Sequence, residues 1–561
     1  MRTFRMILPF FLFNLFLLRA WPQGLPDSTI KKIDKLFVWW NNKTSPGCAV
    51  GIVRNDSLIF AKGYGRANLE YEIPIAPETI FHMASVSKQF TAYSIMLLAS
   101  QGKLHLDNDV HKYLSWFPDL KEKITIRNLL NHTSGIRDQW QLLAIAGTRL
   151  DDVITQEQII KVLSRQEALN FKPGEQNSYS NSGFTMLAEI VKSVTGQTLR
   201  QFTDSAIFKP LGMKNTHFHD DYTEIVPNRA YSYNWGDMLH YKNSILSYSN
   251  VGATSLFTNI NDMSKWIMNF YDPKVGDRKD IEQLTQKEKL NNGEVLDYAA
   301  GIAVDSYKGW KQFSHGGADA GFRTYVTVFP DLKMGFMVFS NLGTINVEEN
   351  AHKLADLFIT DIAPKKDVME VKKIDSSASI LGDTVTVAKY MGDYISQDGT
   401  RFTFKMDHRK VYWKPYAQTI LLMKGEKDSF FMVKDPTVKF VFSGTERADT
   451  IVKEYWPGNK RILSKYANDL SISDGELKRY TGLYYCPELD CNYGIELKDH
   501  HLFLTNDKYS DTKLDLAGAD HLFCDSWWMN HLVISRNNKK EVTGFEVNSG
   551  RIMHLRFNKV K

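Results

Sequence analysis

Apolar and polar positions mark out strands near both ends of the first 365 residues and helices between them. In GCAVGIVRNDSLIFAKGYG, two β-rich runs flank the polar turn Arg54-Asn55-Asp56-Ser57, which predicts a hairpin. A second hairpin is predicted in FRTYVTVFPDLKMGFMVFSN, turning at Pro330-Asp331, with a helix from about Val347 to Ile362 after it. The stretch between the hairpins reads as helices and loops. Early and late strands around a helical middle predict an α+β domain, an antiparallel sheet flanked by helices with an all-helical subregion, closed by both ends of its own chain.

The pattern then changes. IAPKKDVMEVKKIDSSASILGD is charged, then rich in serine, and reads as a linker. Beyond it, runs such as RFTFKMD, KVYWKPY and VKFVFSG alternate with short polar turns, and no helical period is sustained. Tyr390-Met391-Gly392-Asp393-Tyr394 is echoed by Tyr480-Thr481-Gly482-Leu483-Tyr484, a repeat of about ninety residues. Phe404, Met406, Val411 and Tyr412 find apolar counterparts in Ile495, Leu497, Leu502 and Phe503. Two small all-β barrels are therefore expected, folding independently of the first domain and joined to it by an exposed linker. The expected division is 1–24 signal peptide, 25–365 α+β domain, 366–384 linker, and barrels at 385–470 and 471–561.

The signal reading rests on MRTFRMILPFFLFNLFLLRAWPQG, where two arginines precede a short apolar run. It implies an exported protein, periplasmic or secreted, that touches a membrane only if this segment stays uncleaved. Lys and Arg number 69 against 64 Asp and Glu and are scattered, so nucleic acid is not an expected partner. Four cysteines in 561 residues are too sparse for a disulfide scaffold, and no bridge is assigned. Oligomeric state is left open.

Candidate chemistry begins at FHMASVSKQFTAYSIMLLAS. Lys88 sits one turn after Ser85 at the start of a segment otherwise almost wholly apolar, where an unpaired ammonium is costly. Partial burial and the positive end of the helix dipole both lower its pKa, which makes Lys88 a candidate base for Ser85. The same SxxK spacing also arises by chance, as a solvated lysine beside a capping serine.

Two further motifs favour the chemical reading. Tyr179-Ser180-Asn181 lies in KPGEQNSYSNSGF, and His315-Gly316-Gly317 in FSHGGADAGF. With Ser85 and Lys88, in this order, they resemble the serine β-lactamase and penicillin-binding protein superfamily, in its class C-like branch. ITIRNLLNHTSGIRD, LGMKNTHF and GATSLFTNINDMSKW are similar to that branch too, and the resemblance covers roughly residues 30 to 365. It implies a β-lactamase/transpeptidase-like fold with Ser85 as acylated nucleophile, Lys88 aiding its deprotonation and Tyr179 as general base or proton relay. Asn181 would bind the acyl amide, and the backbone N–H groups of Ser85 and Ala318 would hold the oxyanion. Side chains at Gly316 and Gly317 would block substrate.

The third motif departs from Lys-Thr-Gly. His315 stands for the lysine and Gly316 for the hydroxyl residue, so a fixed charge and a carboxylate grip are lost unless His315 protonates at mildly acid pH. The His-x-Gly form resembles D-aminopeptidase-type hydrolases that carry two C-terminal lipocalin-like barrels. The implied activity is hydrolysis of an amide or ester in small substrates, D-amino-acid peptides or cell-wall fragments, without a cofactor. An esterase, a weak class C-type β-lactamase, or a penicillin-binding receptor with little turnover are the alternatives.

Remaining clusters read as structural. His217-Phe218-His219-Asp220-Asp221 has the local chemistry of a metal site, but it continues a family-like turn and no metal is expected. His132 reads as a hydrogen-bonded loop residue. Trp413, Trp456, Trp527 and Trp528 read as packing in the β units.

Overall fold

The computed structural model describes residues 25–237, 240–359, 385–396, 400–414, 419–425, 428–432, 438–443, 451–456, 459–466, 472–517 and 520–560. The expected signal segment and linker lie outside these residues.

The helices and strands that position the site are α1 (Asp27–Leu36), β1 (Cys48–Arg54), β2 (Ser57–Tyr64), α2 (Ser87–Ser100), α3 (Gln139–Ile145), α4 (Asn181–Thr195), β3 (Ala303–Tyr307), β4 (Trp310–Asp319), β5 (Phe322–Phe329), β6 (Met334–Ser340) and α5 (Val347–Asp356). The strands form one antiparallel sheet in the order β3-β4-β5-β6-β1-β2. β1 pairs with β6 from Cys48 opposite Ser340 to Arg54 opposite Met334, so both ends of the domain do close the sheet.

Side-chain alternation sends the two sets of β1 and β6 residues to opposite faces. Val50, Ile52, Phe336 and Val338 pack on Ile33 of α1 and Leu354 of α5. Ala49, Val53, Met337 and Phe339 face a second core shared with Phe90 of α2 and Trp266. Because both faces are covered, these strands read as continuous apolar runs. α2 is buried from Ser87 to Leu98, which is why it is apolar around its whole circumference.

The remainder forms two closed eight-stranded barrels, one from Gly392–Ser396 to Asn459–Tyr466, the other from Gly482–Cys486 to Ile552–Lys559. The repeat is one of strand register. Gly392 opposes Phe404 and Met406 opposes Val411, as Gly482 opposes Ile495 and Leu497 opposes Leu502. Tyr394 donates to the carbonyl of Tyr390 at the foot of one barrel, as Tyr484 does to Tyr480 in the other.

The barrels differ in how they relate to the α+β domain. The first has a core of its own around Phe404, Phe440 and Phe442. Buried side chains of the second, Tyr484 and Tyr493 among them, belong to the same continuous core as the helical region. The Arg137 guanidinium, only 1% exposed, reaches both oxygens of Glu488 in that barrel at 2.9 and 2.8 Å and the carbonyls of Met553 and His554. An arginine so buried needs every donor satisfied, and carbonyls of both domains supply the acceptors. Independent folding of both barrels is thus overturned for the second one, which is welded to the domain it follows.

Among the described residues no helix is long and apolar enough to cross a membrane. Cys48, Cys486, Cys491 and Cys524 are free thiols, although Cys486 and Cys491 face each other across a strand pair.

Candidate active site

Ser85 lies in a single 3₁₀ turn, Ala84–Val86, that feeds directly into α2. Ala84 adopts φ +49°, a left-handed conformation unusual for a side-chain-bearing residue, and it turns the chain sharply just before Ser85. Neighbouring bonds hold the turn. Met83 donates to the Leu256 carbonyl at 2.8 Å and accepts from the Thr324 hydroxyl at 2.8 Å.

Lys88 is fully buried. Its Nζ lies 2.8 Å from Asn181 Oδ1, 2.7 Å from the Ala253 carbonyl and 3.2 Å from Ser85 Oγ. Two of these partners are pure acceptors, so they use both N–H bonds of a neutral amine and leave its lone pair for Ser85. Burial pulls the Lys88 pKa down to about 7, although Asp319 and Asp138 oppose the shift.

Asn181 opens α4, and its amide is oriented rather than free. Its backbone N–H and its Nδ2 both donate to Asp138 Oδ2 at 2.8 Å, which leaves Oδ1 to face Lys88. Asp138 caps α3 through Oδ1, accepting from the Trp140 N–H at 3.0 Å.

Tyr179 is buried against Lys88, whose Nζ is 4.9 Å from the ring centroid. Burial drives its pKa well above that of a free phenol, and the neighbouring Ser85 hydroxyl and the charge of Arg551 counter only part of the rise. The phenol therefore stays protonated in the free protein, and Lys88 with its reduced pKa is the better proton acceptor. His132, in a left-handed conformation, packs on Tyr179 with ring centroids 4.2 Å apart and accepts from the Ser180 N–H through Nδ1. Burial and the nearby Lys88 lower its pKa far below the usual imidazole value, so it is a neutral positioning residue.

The third motif lies on β4, one wall of the same cavity. His315 Nδ1 is 2.6 Å from the Gly316 carbonyl, an acceptor, so Nδ1 carries the proton and Nε2 accepts from the Tyr298 hydroxyl at 2.8 Å. Burial, with Lys88 nearby, pushes the His315 pKa down to about 3. These surroundings disfavour protonation of His315 at mildly acid pH. The two glycines of this motif differ in their surroundings. A Cβ at Gly317 would come within 2.3 Å of the Met83 carbonyl and Thr324 Oγ1, so Gly317 lets β4 approach the serine turn, whereas a Cβ at Gly316 meets nothing closer than 3.6 Å. Ala318 follows on the same strand and lines the cavity. Asp319 ends β4, fixed by His82 Nε2 at 3.0 Å and by the Thr254 hydroxyl.

Ser85, Tyr179, Asn181, His315, Gly317 and Ala318 all line one cavity of about 470 Å³, with Lys88 buried behind it. Trp140 and Arg551 line it as well. Sequence reading missed Arg551, Tyr298 and Asp138. Arg551 belongs to a hairpin turn of the second barrel, and its only mark in the sequence is the turn signal Asn548-Ser549-Gly550.

Elsewhere, His217, His219 and Glu224 bring their ligand atoms within 4.8 Å of one another, but both Glu224 oxygens are taken by Arg200 at 2.7 Å. Trp413 stacks on Phe402 in the first barrel, and Trp528 packs on Tyr509 beside the helical region. The Trp456 side chain lies outside the described residues.

Residues 27–360 match the family model described as Beta-lactamase. A penicillin-binding protein of Bacillus subtilis (strain 168) is 25% identical over 433 residues, 74% of this chain and 94% of that protein. A D-aminopeptidase of Brucella anthropi is 27% identical over 346 residues, 61% of this chain and 64% of that enzyme. In structure, the chain is similar to the octameric penicillin-binding protein homologue from Pyrococcus abyssi, with TM-score 0.51 and 21% identity over 86% of this chain and 98% of that one.

Proposed function

The chain belongs to the beta-lactamase family, and from that premise we propose that it is an exported serine hydrolase acting on D-amino-acid peptides, amides or related cell-wall fragments. The observation that carries the chemical part is the set of contacts at Lys88, a buried amine with two acceptors satisfied and its third contact on Ser85 Oγ.

In the proposed reaction Ser85 Oγ attacks the substrate carbonyl carbon while its proton passes to Lys88 Nζ. The resulting oxyanion is held by the backbone N–H groups of Ser85 and Ala318. When the tetrahedral intermediate collapses, the leaving group takes a proton from the Tyr179 hydroxyl, which Lys88 replaces. Water then attacks the acyl carbon, its proton moves through the same pair, and Ser85 Oγ is released protonated. Asn181 orients Lys88 in every step. Export rests on the N-terminal apolar run, and the substrate class on the likeness to the D-aminopeptidase together with the neutral His315.

That neutrality also favours uncharged esters, so an esterase is the second reading. One screen separates the two. Purified protein and its Ser85→Ala variant are assayed on D-amino-acid amides, D-Ala-D-Ala peptides, p-nitrophenyl esters and a chromogenic cephalosporin. Turnover of D-amino-acid amides or peptides that Ser85→Ala abolishes supports the first reading, and turnover of esters alone supports the second.

A further inference from the structure

The cavity is finished by a residue of the second barrel. Strands Val542–Ser549 and Ile552–Lys559 are joined by a turn whose Gly550 has φ +58°, and Arg551 follows it. Its backbone is clamped onto the helical region. The Arg551 N–H donates to Gln141 Oε1 at 2.7 Å, its carbonyl accepts from Asn170 Nδ2 at 2.8 Å, and Met553 donates to Asn170 Oδ1 at 2.8 Å. The side chain therefore enters the cavity from a fixed point.

The guanidinium carbon stands 4.8 Å from the Tyr179 ring centroid. Its nearest carboxylate among the described residues is Asp138, at 3.6 Å, whose Oδ2 already accepts two hydrogen bonds from Asn181. Of the other charged groups on the cavity wall, the two acids have partners and Arg323 has committed one of its nitrogens. Asp319 is held by His82 and Thr254, Glu348 faces the Tyr325 hydroxyl, and Arg323 Nη1 donates to the carbonyls of Ala320 and Phe322. Arg551 is thus a cation with unspent donors, 45% exposed, stacked beside the nucleophile's neighbour.

We propose that Arg551 is a carboxylate-binding subsite, supplied by the second barrel, which grips an anionic group of the substrate while Ser85 attacks. A planar guanidinium offers two parallel N–H donors that match a carboxylate, the grip that neutral His315 cannot provide. The subsite rests on the reading that this cavity binds acyl substrates, and it adds to that reading a preference for substrates carrying a free carboxylate.

The test measures binding by calorimetry on Ser85→Ala protein, so that no turnover interferes. Two matched pairs serve as probes: a peptide ending in D-Ala-D-Ala as free acid and as C-terminal amide, and N-succinyl against N-acetyl D-alanine anilide. The acid of at least one pair should bind about tenfold or more tightly than its neutral partner. Adding Arg551→Gln should collapse that ratio to about one, and Arg551→Lys should keep part of it. Equal affinity within both pairs, a ratio that survives Arg551→Gln, or no binding by any probe overturns the subsite. Labelling of Ser85 in the parent protein by an uncharged fluorophosphonate reports the nucleophile separately, so loss of labelling would strike the hydrolase reading and an unchanged binding ratio would strike Arg551 alone.

Discussion

Asp138 grips Asn181 twice, at its backbone N–H and at its side-chain Nδ2, both at 2.8 Å, and so decides which end of that amide meets Lys88. Without it, Asn181 could turn its N–H₂ toward the amine and take away the acceptor that holds Lys88 against Ser85. Asp138→Asn should slow fluorophosphonate labelling of Ser85 by about tenfold to a hundredfold, the effect of losing a charge-assisted hydrogen bond. Asp138 also raises the Lys88 pKa, so the variant should shift the rising limb of the labelling rate to lower pH. A slower rate with an unshifted limb would assign Asp138 a role in orientation alone.

Lys88 must be neutral to accept the Ser85 proton. With its pKa near 7, acylation should rise with pH through about 7 and fall away below it. Ser85→Ala should abolish labelling, and Lys88→Arg should do nearly the same at every pH, because a guanidinium does not deprotonate in this range. Stopped-flow labelling between pH 5 and 9 measures both.

The two glycines of the third motif should separate. Gly317→Ala forces a Cβ onto the Met83 carbonyl and should push back the serine turn, costing most of the labelling rate. Gly316→Ala has room and should label within about threefold of the parent, a change worth well under 1 kcal/mol. Similar losses in both would return the substrate-blocking explanation.

His315 makes a prediction about acid stability. Its folded pKa of about 3 lies below the ordinary value of 6.5 in an unfolded chain, so the unfolded state binds this proton first as pH falls. The stability it permits is therefore complete above about pH 6.5 and declines below it, by about 2 kcal/mol at pH 5. His315→Gln should lose less stability than the parent between pH 7 and 5, read as the difference in urea midpoints.

Glu488 neutralises an arginine that water cannot reach. Glu488→Gln should cost roughly 3 kcal/mol, because it leaves Arg137 buried beside a neutral amide. In the parent, a protease site engineered between residues 360 and 384 and then cut should leave the two pieces together on a sizing column. In Glu488→Gln they should separate more readily.

Much of this molecule could be read from short stretches of sequence. Ser85 and Lys88 are three apart, Tyr179 and Asn181 two apart, and strand register carries the repeat at Gly392 and Gly482, so local spacing was enough for each. The environment of those residues was not legible. Whether His315 is charged depends on Tyr298 and on burial, and neither leaves a mark in FSHGGADAGF. Arg551 was invisible for a related reason, since a turn signal names a bend and says nothing of what the bend docks against. The second barrel was misjudged as independent because Glu488 looks like any surface acid until Arg137 is found buried beneath it.

The pairing of Cys48 with Ser340 has a bearing on how the protein comes to be folded. Ser340 donates to the Gly47 carbonyl across 293 positions of chain, and strands so far apart in sequence meet late, after the loop between them has given up most of its entropy. The serine turn leans on that sheet through Thr324 and Met83, so its geometry lacks part of its support in a half-assembled molecule. Reaction at Ser85 should then appear in step with the final closure of the sheet, which makes a small covalent probe a clock for global folding.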